Sequence, residues 1–134
     1  MSSSFWRLTV RSNFSAAHAL RAYHGKCENL HGHNYTVEMT ADGSQLTEDT
    51  EFIADFSVLK SMLNQELEKL DHKNLNELEP FTSINPTSEN IACYLFKRLK
   101  KAMASFPAEL YSVTVWETDK QSATYIEPNS FSSI

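Results

Sequence analysis

Apolar and polar positions along the chain follow two periods. Trp6, Leu8 and Val10 alternate with Arg7, Thr9 and Arg11, the period of two that marks a half-buried strand. A loop of small and polar residues is expected from about Ala19 to Leu30. The alternation then resumes from His31 to about Ala41, with Tyr35, Val37 and Met39 on one face and Asn34, Thr36 and Glu38 on the other. Asp42-Gly43-Ser44 reads as the turn that ends this strand. The period changes in the middle of the chain. Leu59, Met62, Leu63, Leu67 and Leu70 recur at helical spacing, with Asp55 or Ser57 as the candidate cap. A second helix is expected to enter at Pro86-Thr87-Ser88-Glu89, capped by Thr87, and to carry Ile91, Leu95, Leu99 and Met103 on its apolar stripe. Tyr111, Val113 and Val115 define a third strand, and a shorter fourth is expected from Ser122 to Glu127. The order β-β-α-α-β-β predicts an α+β domain, with two helices packed on one face of an antiparallel sheet. Four such strands leave two open edges, so a closed oligomer is expected.

Composition narrows the setting. The 134 residues are 41% hydrophobic and 22% charged, one globular domain spanning residues 1–134 with no sign of an internal linker. A net charge of −5 argues against a broadly basic, nucleic-acid-binding surface. Two cysteines make no disulfide framework, and neither a signal peptide nor a membrane span is evident. The expectation is a soluble cytoplasmic protein in a reducing compartment, with no nucleic-acid or membrane partner.

The chemistry concentrates in His31-Gly32-His33. Residues two apart on a strand point the same way, so both imidazoles can face one ion from the apolar face. His18, near the end of the preceding strand, can be brought alongside by antiparallel pairing. Three imidazoles suit a catalytic zinc that keeps one position open, although iron and copper also accept imidazole. The competing interpretation is three satisfied structural histidines. Cys27, four residues before His31, fits either a fourth ligand that closes a structural site or a thiolate that moves protons beside an open one. Cys93, inside the second helical stripe, reads as an inert thiol. Asp71-His72 follows the first helix and has the composition of an acid–base relay. Glu117 shares the parity of Val113 and Val115, so its carboxylate falls on the apolar face and needs donors. A heterocycle with adjacent ring and amino N–H groups would supply two. His24, Lys26, Arg21 and Lys73 read as surface residues, the last three also as candidates for a phosphate.

Phe14-Ser15-Ala16-Ala17-His18, Cys27-Glu28-Asn29-Leu30-His31-Gly32-His33-Asn34-Tyr35, Leu70-Asp71-His72, Asn85-Pro86-Thr87-Ser88-Glu89-Asn90 and Trp116-Glu117-Thr118 together resemble the 6-pyruvoyl-tetrahydropterin synthase family. The resemblance implies the tunnelling fold, in which rings of subunits share sheets in a barrel and two rings stack, here a hexamer of two trimers. It implies zinc on His18, His31 and His33, Cys27 as catalytic base, and Asp71 and His72 in a proton relay. Glu117 would anchor the pterin, with Thr87, Ser88 and Glu89 lining its pocket. The spacing Cys-x3-His-x-His is similar to that of the 6-carboxy-tetrahydropterin synthase branch of queuosine biosynthesis. There the implied substrate is 7,8-dihydroneopterin triphosphate and the products are 6-carboxy-tetrahydropterin, acetaldehyde and triphosphate. The alternative branch forms the 6-pyruvoyl compound from the same substrate. A triphosphate and a negative protein together imply a basic rim built from more than one subunit. Outside the family, a cupin-like metal protein is disfavoured because Glu38 lies out of phase with His33. A non-catalytic assembly protein stapled by zinc through Cys27 is the other alternative.

Overall fold

The computed structural model describes residues 4–23, 25 and 28–132. Strand β1 runs Trp6–His18 and β2 His31–Gly43; helix α1 is Phe56–Leu67 and α2 Ser88–Ala102; β4 is Glu109–Thr118 and β5 Gln121–Ile126. Between the helices lies a two-residue strand, β3 (Lys73–Asn74), followed by a 3₁₀ turn at Leu75–Glu77. The sheet order is β3-β1-β2-β4-β5. All pairings are antiparallel except β3 with β1, which is parallel. The expected four-stranded, wholly antiparallel sheet is therefore corrected to five strands. A strand of two residues is too short to show a period, so it was invisible in the sequence pattern.

The alternating positions pack as the pattern requires. Val10, Phe14, Tyr35, Val37, Met39, Val113 and Val115 are buried on one face of the sheet. Helix α1 lies against β1 and α2 against β4 and β5, bringing Leu59, Leu63, Ile91, Leu95 and Leu99 onto that face. Each such side chain contributes about 1.5–3 kcal/mol through removal of apolar surface from water. The caps close the helix entrances. Asp55 accepts from the Ser57 amide at 2.8 Å, and Thr87 from the Asn90 amide at 3.1 Å. Caps of this kind stabilise by about 1 kcal/mol.

The predicted turn at 42–44 begins later than expected. Asp42 and Gly43 remain in β2 because Asp42, fully buried, accepts two bonds from the Arg7 guanidinium (2.7 and 3.0 Å) and one from Asn129 Nδ2 (3.0 Å). A long-range ion pair thus overrides the turn propensity of Asp-Gly. The other face of the sheet is polar, with Glu38 accepting from Arg11 (2.8 Å) and from the Trp116 indole (2.7 Å). Among the described residues, no helix is long and apolar enough to cross a membrane.

Candidate metal centre and adjoining cavity

The β1–β2 register brings the three candidate metal-binding side chains together. His18 pairs directly with His31, and Ala16 with His33. Because alternate residues share a face, all three imidazoles converge at the end of the hairpin. Their ring centroids stand 4.6, 5.1 and 4.8 Å apart, with planes at 66–88° to one another. One nitrogen from each lies within 4.8 Å of the other two.

Hydrogen bonds fix the tautomers. His18 Nδ1–H donates to the Pro86 carbonyl at 2.7 Å, and His31 Nδ1–H to the Asn29 carbonyl at 2.7 Å, since a carbonyl can only accept. The Tyr35 hydroxyl also lies 3.1 Å from His18 Nδ1. With each Nδ1 carrying the proton, the two Nε2 atoms face each other at 3.1 Å as lone pairs. Two acceptors at that distance repel unless a cation lies between them. A proton is disfavoured there, because burial lowers the pKa of His18, with the neighbouring imidazoles adding to the effect against the Pro86 bond. Burial likewise lowers that of His33. His33 Nε2 is buried with no hydrogen-bond partner among the described residues. This donor set fits a divalent metal, with second contacts on Nδ1 orienting the rings.

Glu117 stands beside the cluster. Its carboxylate oxygens lie 3.8 Å from His18 Nε2 and 3.9 Å from His33 Nε2, and Gln121 Nε2 donates to it at 3.2 Å. Its negative charge favours a cation among the imidazoles. A cavity of about 260 Å³ opens next to it, lined by Glu117, Thr87, Ser88, Glu89, Leu20 and Gln121. The four residues expected to hold a substrate ring therefore share one cavity, delivered by the end of β4 and the first turn of α2.

Asp71 and His72 lie outside the lining of the Glu117 cavity, and His72 borders a cleft that His33 also lines. His72 Nδ1 is 2.9 Å from Asp71, whose other oxygen accepts the Ser15 amide at 2.8 Å. That amide bond is the main reason the Asp71 carboxyl titrates below its ordinary range, with His72 adding to it. His72 has a left-handed backbone, φ 59°, and its side chain is 82% exposed. A strained, exposed, oriented imidazole of this kind is a functional candidate. It borders a separate cleft of about 520 Å³ with Lys73, Ser15, Gly32 and His33, and is absent from the lining of the Glu117 cavity. Cys27 lies outside the described residues, as do His24 and Lys26. Cys93 is half-buried and free on α2. Arg21 is exposed, as expected of a surface cation, and its guanidinium also donates to the carbonyls of Phe81 (2.7 Å) and Ile84 (3.1 Å).

Sequence reasoning missed Pro86, Asn29 and Gln121. The first two act through backbone carbonyls, which every residue type carries. Gln121 opens β5 with no periodic signal.

The sheet, the paired helices and the three-histidine cluster beside a carboxylate-lined cavity define an α+β domain with a candidate metal centre. Residues 7–128 match the family model described as 6-pyruvoyl tetrahydropterin synthase. A solved structure of Caenorhabditis elegans 6-pyruvoyl tetrahydropterin synthase superposes with a TM-score of 0.82 at 33% identity, covering 96% of this chain and 99% of that one. The 6-carboxy-5,6,7,8-tetrahydropterin synthase of Synechocystis is 39% identical over 127 residues, covering 92% of this chain and 95% of its own. The 6-pyruvoyl tetrahydrobiopterin synthase of Drosophila melanogaster is 35% identical over 141 residues, covering 95% and 83%. The chain belongs to the 6-pyruvoyl tetrahydropterin synthase family.

Proposed function

We propose that the protein is a zinc-dependent lyase acting on 7,8-dihydroneopterin triphosphate. With one water consumed, it forms 6-carboxy-5,6,7,8-tetrahydropterin, acetaldehyde and triphosphate, a step of queuosine biosynthesis. The observation that carries the lyase reading is the convergence of three imidazoles beside the Glu117 cavity. The Cys27-x3-His31-x-His33 spacing and the likeness to the Synechocystis carboxy-pterin synthase support the carboxy product. The likeness to the Drosophila enzyme favours, about equally, a second reading in which the product is 6-pyruvoyl-tetrahydropterin.

His18, His31 and His33 would hold zinc through Nε2. A bound zinc ion polarises hydroxyl and carbonyl oxygens on a substrate side chain and stabilises negative charge developing there. Glu117 accepts the ring and amino N–H groups of the pterin, while Thr87, Ser88 and Glu89 form the wall against which the ring lies. Cys27 removes a carbon-bound proton as thiolate, and His72, held by Asp71, returns protons. Repeated proton movement transfers the side chain's oxidation level into the ring and releases triphosphate. The exposure of His72 and its absence from the lining of the Glu117 cavity support its serving the site of a neighbouring subunit. A hexamer of two stacked trimers provides such neighbours, and Lys73 beside His72 would help form the basic rim facing the triphosphate. The same composition supports a cytoplasmic location.

Mass spectrometry of products from 7,8-dihydroneopterin triphosphate tests the reading. Carboxy-pterin with acetaldehyde is expected, and the pyruvoyl compound alone selects the second reading. Cys27→Ala is expected to retain zinc and lose turnover. Full turnover in that variant removes Cys27 from the chemistry, and loss of the metal makes the centre structural.

A further inference from the structure

Beyond His18 the outer edge of β1 has no strand to pair with, yet the chain from Ala19 to Arg21 is held on that side by asparagine side chains. Asn76 accepts the Ala19 amide and donates to the Ala19 carbonyl, both at 2.9 Å. Asn85 does the same two residues on, accepting from the Arg21 amide and donating to its carbonyl, again both at 2.9 Å. A carboxamide has one acceptor and two donor hydrogens on a planar group, so it can imitate the pairing of one strand residue. Arg21 returns the grip through its guanidinium, on the carbonyls of Phe81 and Ile84. Asn90 closes the loop by donating to the Asn85 carbonyl at 2.9 Å.

The residue after Asn85 is Pro86, buried, whose carbonyl takes the His18 Nδ1–H. The next three residues are the cavity wall, Thr87, Ser88 and Glu89. Proline has no N–H with which to anchor itself, so the position of this carbonyl depends on its neighbours. We infer that Asn85 is a positioning residue for the metal centre: by clamping the 81–90 loop to Arg21, it holds the Pro86 carbonyl against His18 and the first turn of α2 against the cavity. The inference rests on the zinc-site reading above. It makes metal affinity depend on a side chain that touches neither the metal nor the cavity. Outer contacts of metal-bound histidines typically change affinity by about 10–100-fold when lost.

The test is competition for zinc between the purified full-length protein and a chromogenic chelator, for wild type, Asn85→Ala and Arg21→Ala. Circular dichroism and thermal midpoints of the metal-free forms accompany each titration. Asn85→Ala is expected to weaken zinc binding by about tenfold or more, and Arg21→Ala to weaken it in the same direction. Asn85→Asp, which keeps the acceptor for the Arg21 amide but loses the donor, should fall between. If both alanine variants lower only the metal-free midpoint and bind zinc as wild type does, the clamp is merely structural and the inference fails. If Asn85→Ala does not fold, Asn85→Asp decides by the same criterion, because Arg21→Ala keeps both backbone bonds to Asn85 and tests only the guanidinium half of the clamp. Failure of the wild type itself to bind zinc would instead overturn the zinc-site reading.

Discussion

Two imidazoles with Nδ1–H engaged by carbonyls meet Nε2 to Nε2 at His18 and His31, and that arrangement sets how the centre responds to acid. Burial lowers the folded-state pKa of His18 and His33 below the unfolded value, so the unfolded chain binds more protons. The stability these groups contribute is present above the ordinary histidine value of about 6.5 and is lost as pH falls through the lowered folded values. The metal-free protein is therefore expected to show a thermal midpoint that falls as pH drops below the ordinary histidine value of about 6.5. Zinc should raise the midpoint at neutral pH, because it binds the folded state. His31→Ala should abolish that rise by removing one of three ligands. Midpoints measured across pH, with zinc and with chelator, check this; a metal-free midpoint that climbs toward acid would contradict it. At this scale the sequence was informative. The His-x-His phase and the parity of Glu117 both correspond to side chains that meet. The Pro86 carbonyl was not legible, since the acceptor is backbone and its partner lies 68 positions away.

Period and caps make the helices and strands legible; the cap at Thr87 is where the sequence places it, and of the two candidates Asp55 and Ser57 the structure selects Asp55. What joins the elements was less visible. Glu127, just past β5, accepts from Tyr125 (2.7 Å), Lys100 (2.9 Å) and Lys97 (3.2 Å), tying β5 to the polar face of α2. The Tyr125 hydroxyl and then Lys100 hold the Glu127 carboxyl at about 2, against an ordinary value of 4.5. A depressed carboxyl contributes stability above its unfolded value and loses it as pH falls through the folded one. Acid unfolding between pH 4.5 and about 2 is therefore expected to be steeper in wild type than in Glu127→Gln. Denaturant midpoints at several pH values measure this, and identical slopes would remove Glu127 from the account. β3 was missed, and Asp42 was read as a turn, for related reasons. Two residues carry no period, and a buried ion pair across 35 positions carries no local signal.

For the whole molecule, the separation of Asp71–His72 from the Glu117 cavity is the organising fact. If His72 completes a neighbour's site, Cys27→Ala and His72→Ala damage different halves of each composite centre. Each variant alone should be inactive, and co-refolded or co-expressed mixtures should recover part of the activity. Sites holding one intact contribution from each chain then reappear in a symmetric ring. Activity assays on mixtures, beside native mass spectrometry of the assembly, check this. No recovery from mixed assemblies would place both residues within one chain's site.

The sequence by itself determined the strands, the helices and the three imidazoles of one face, because period and parity are local properties that a linear pattern records. Tertiary structure alone decided the rest: which carbonyls orient His18 and His31, the fifth strand, the pairing of buried Asp42 with Arg7, and the position of His72 outside the lining of the Glu117 cavity. Apart from the Asn29 carbonyl, two residues from His31, each of these depends on register or on segments meeting across dozens of positions. Contacts of that kind are selected by packing the whole chain, and no neighbouring residues announce them.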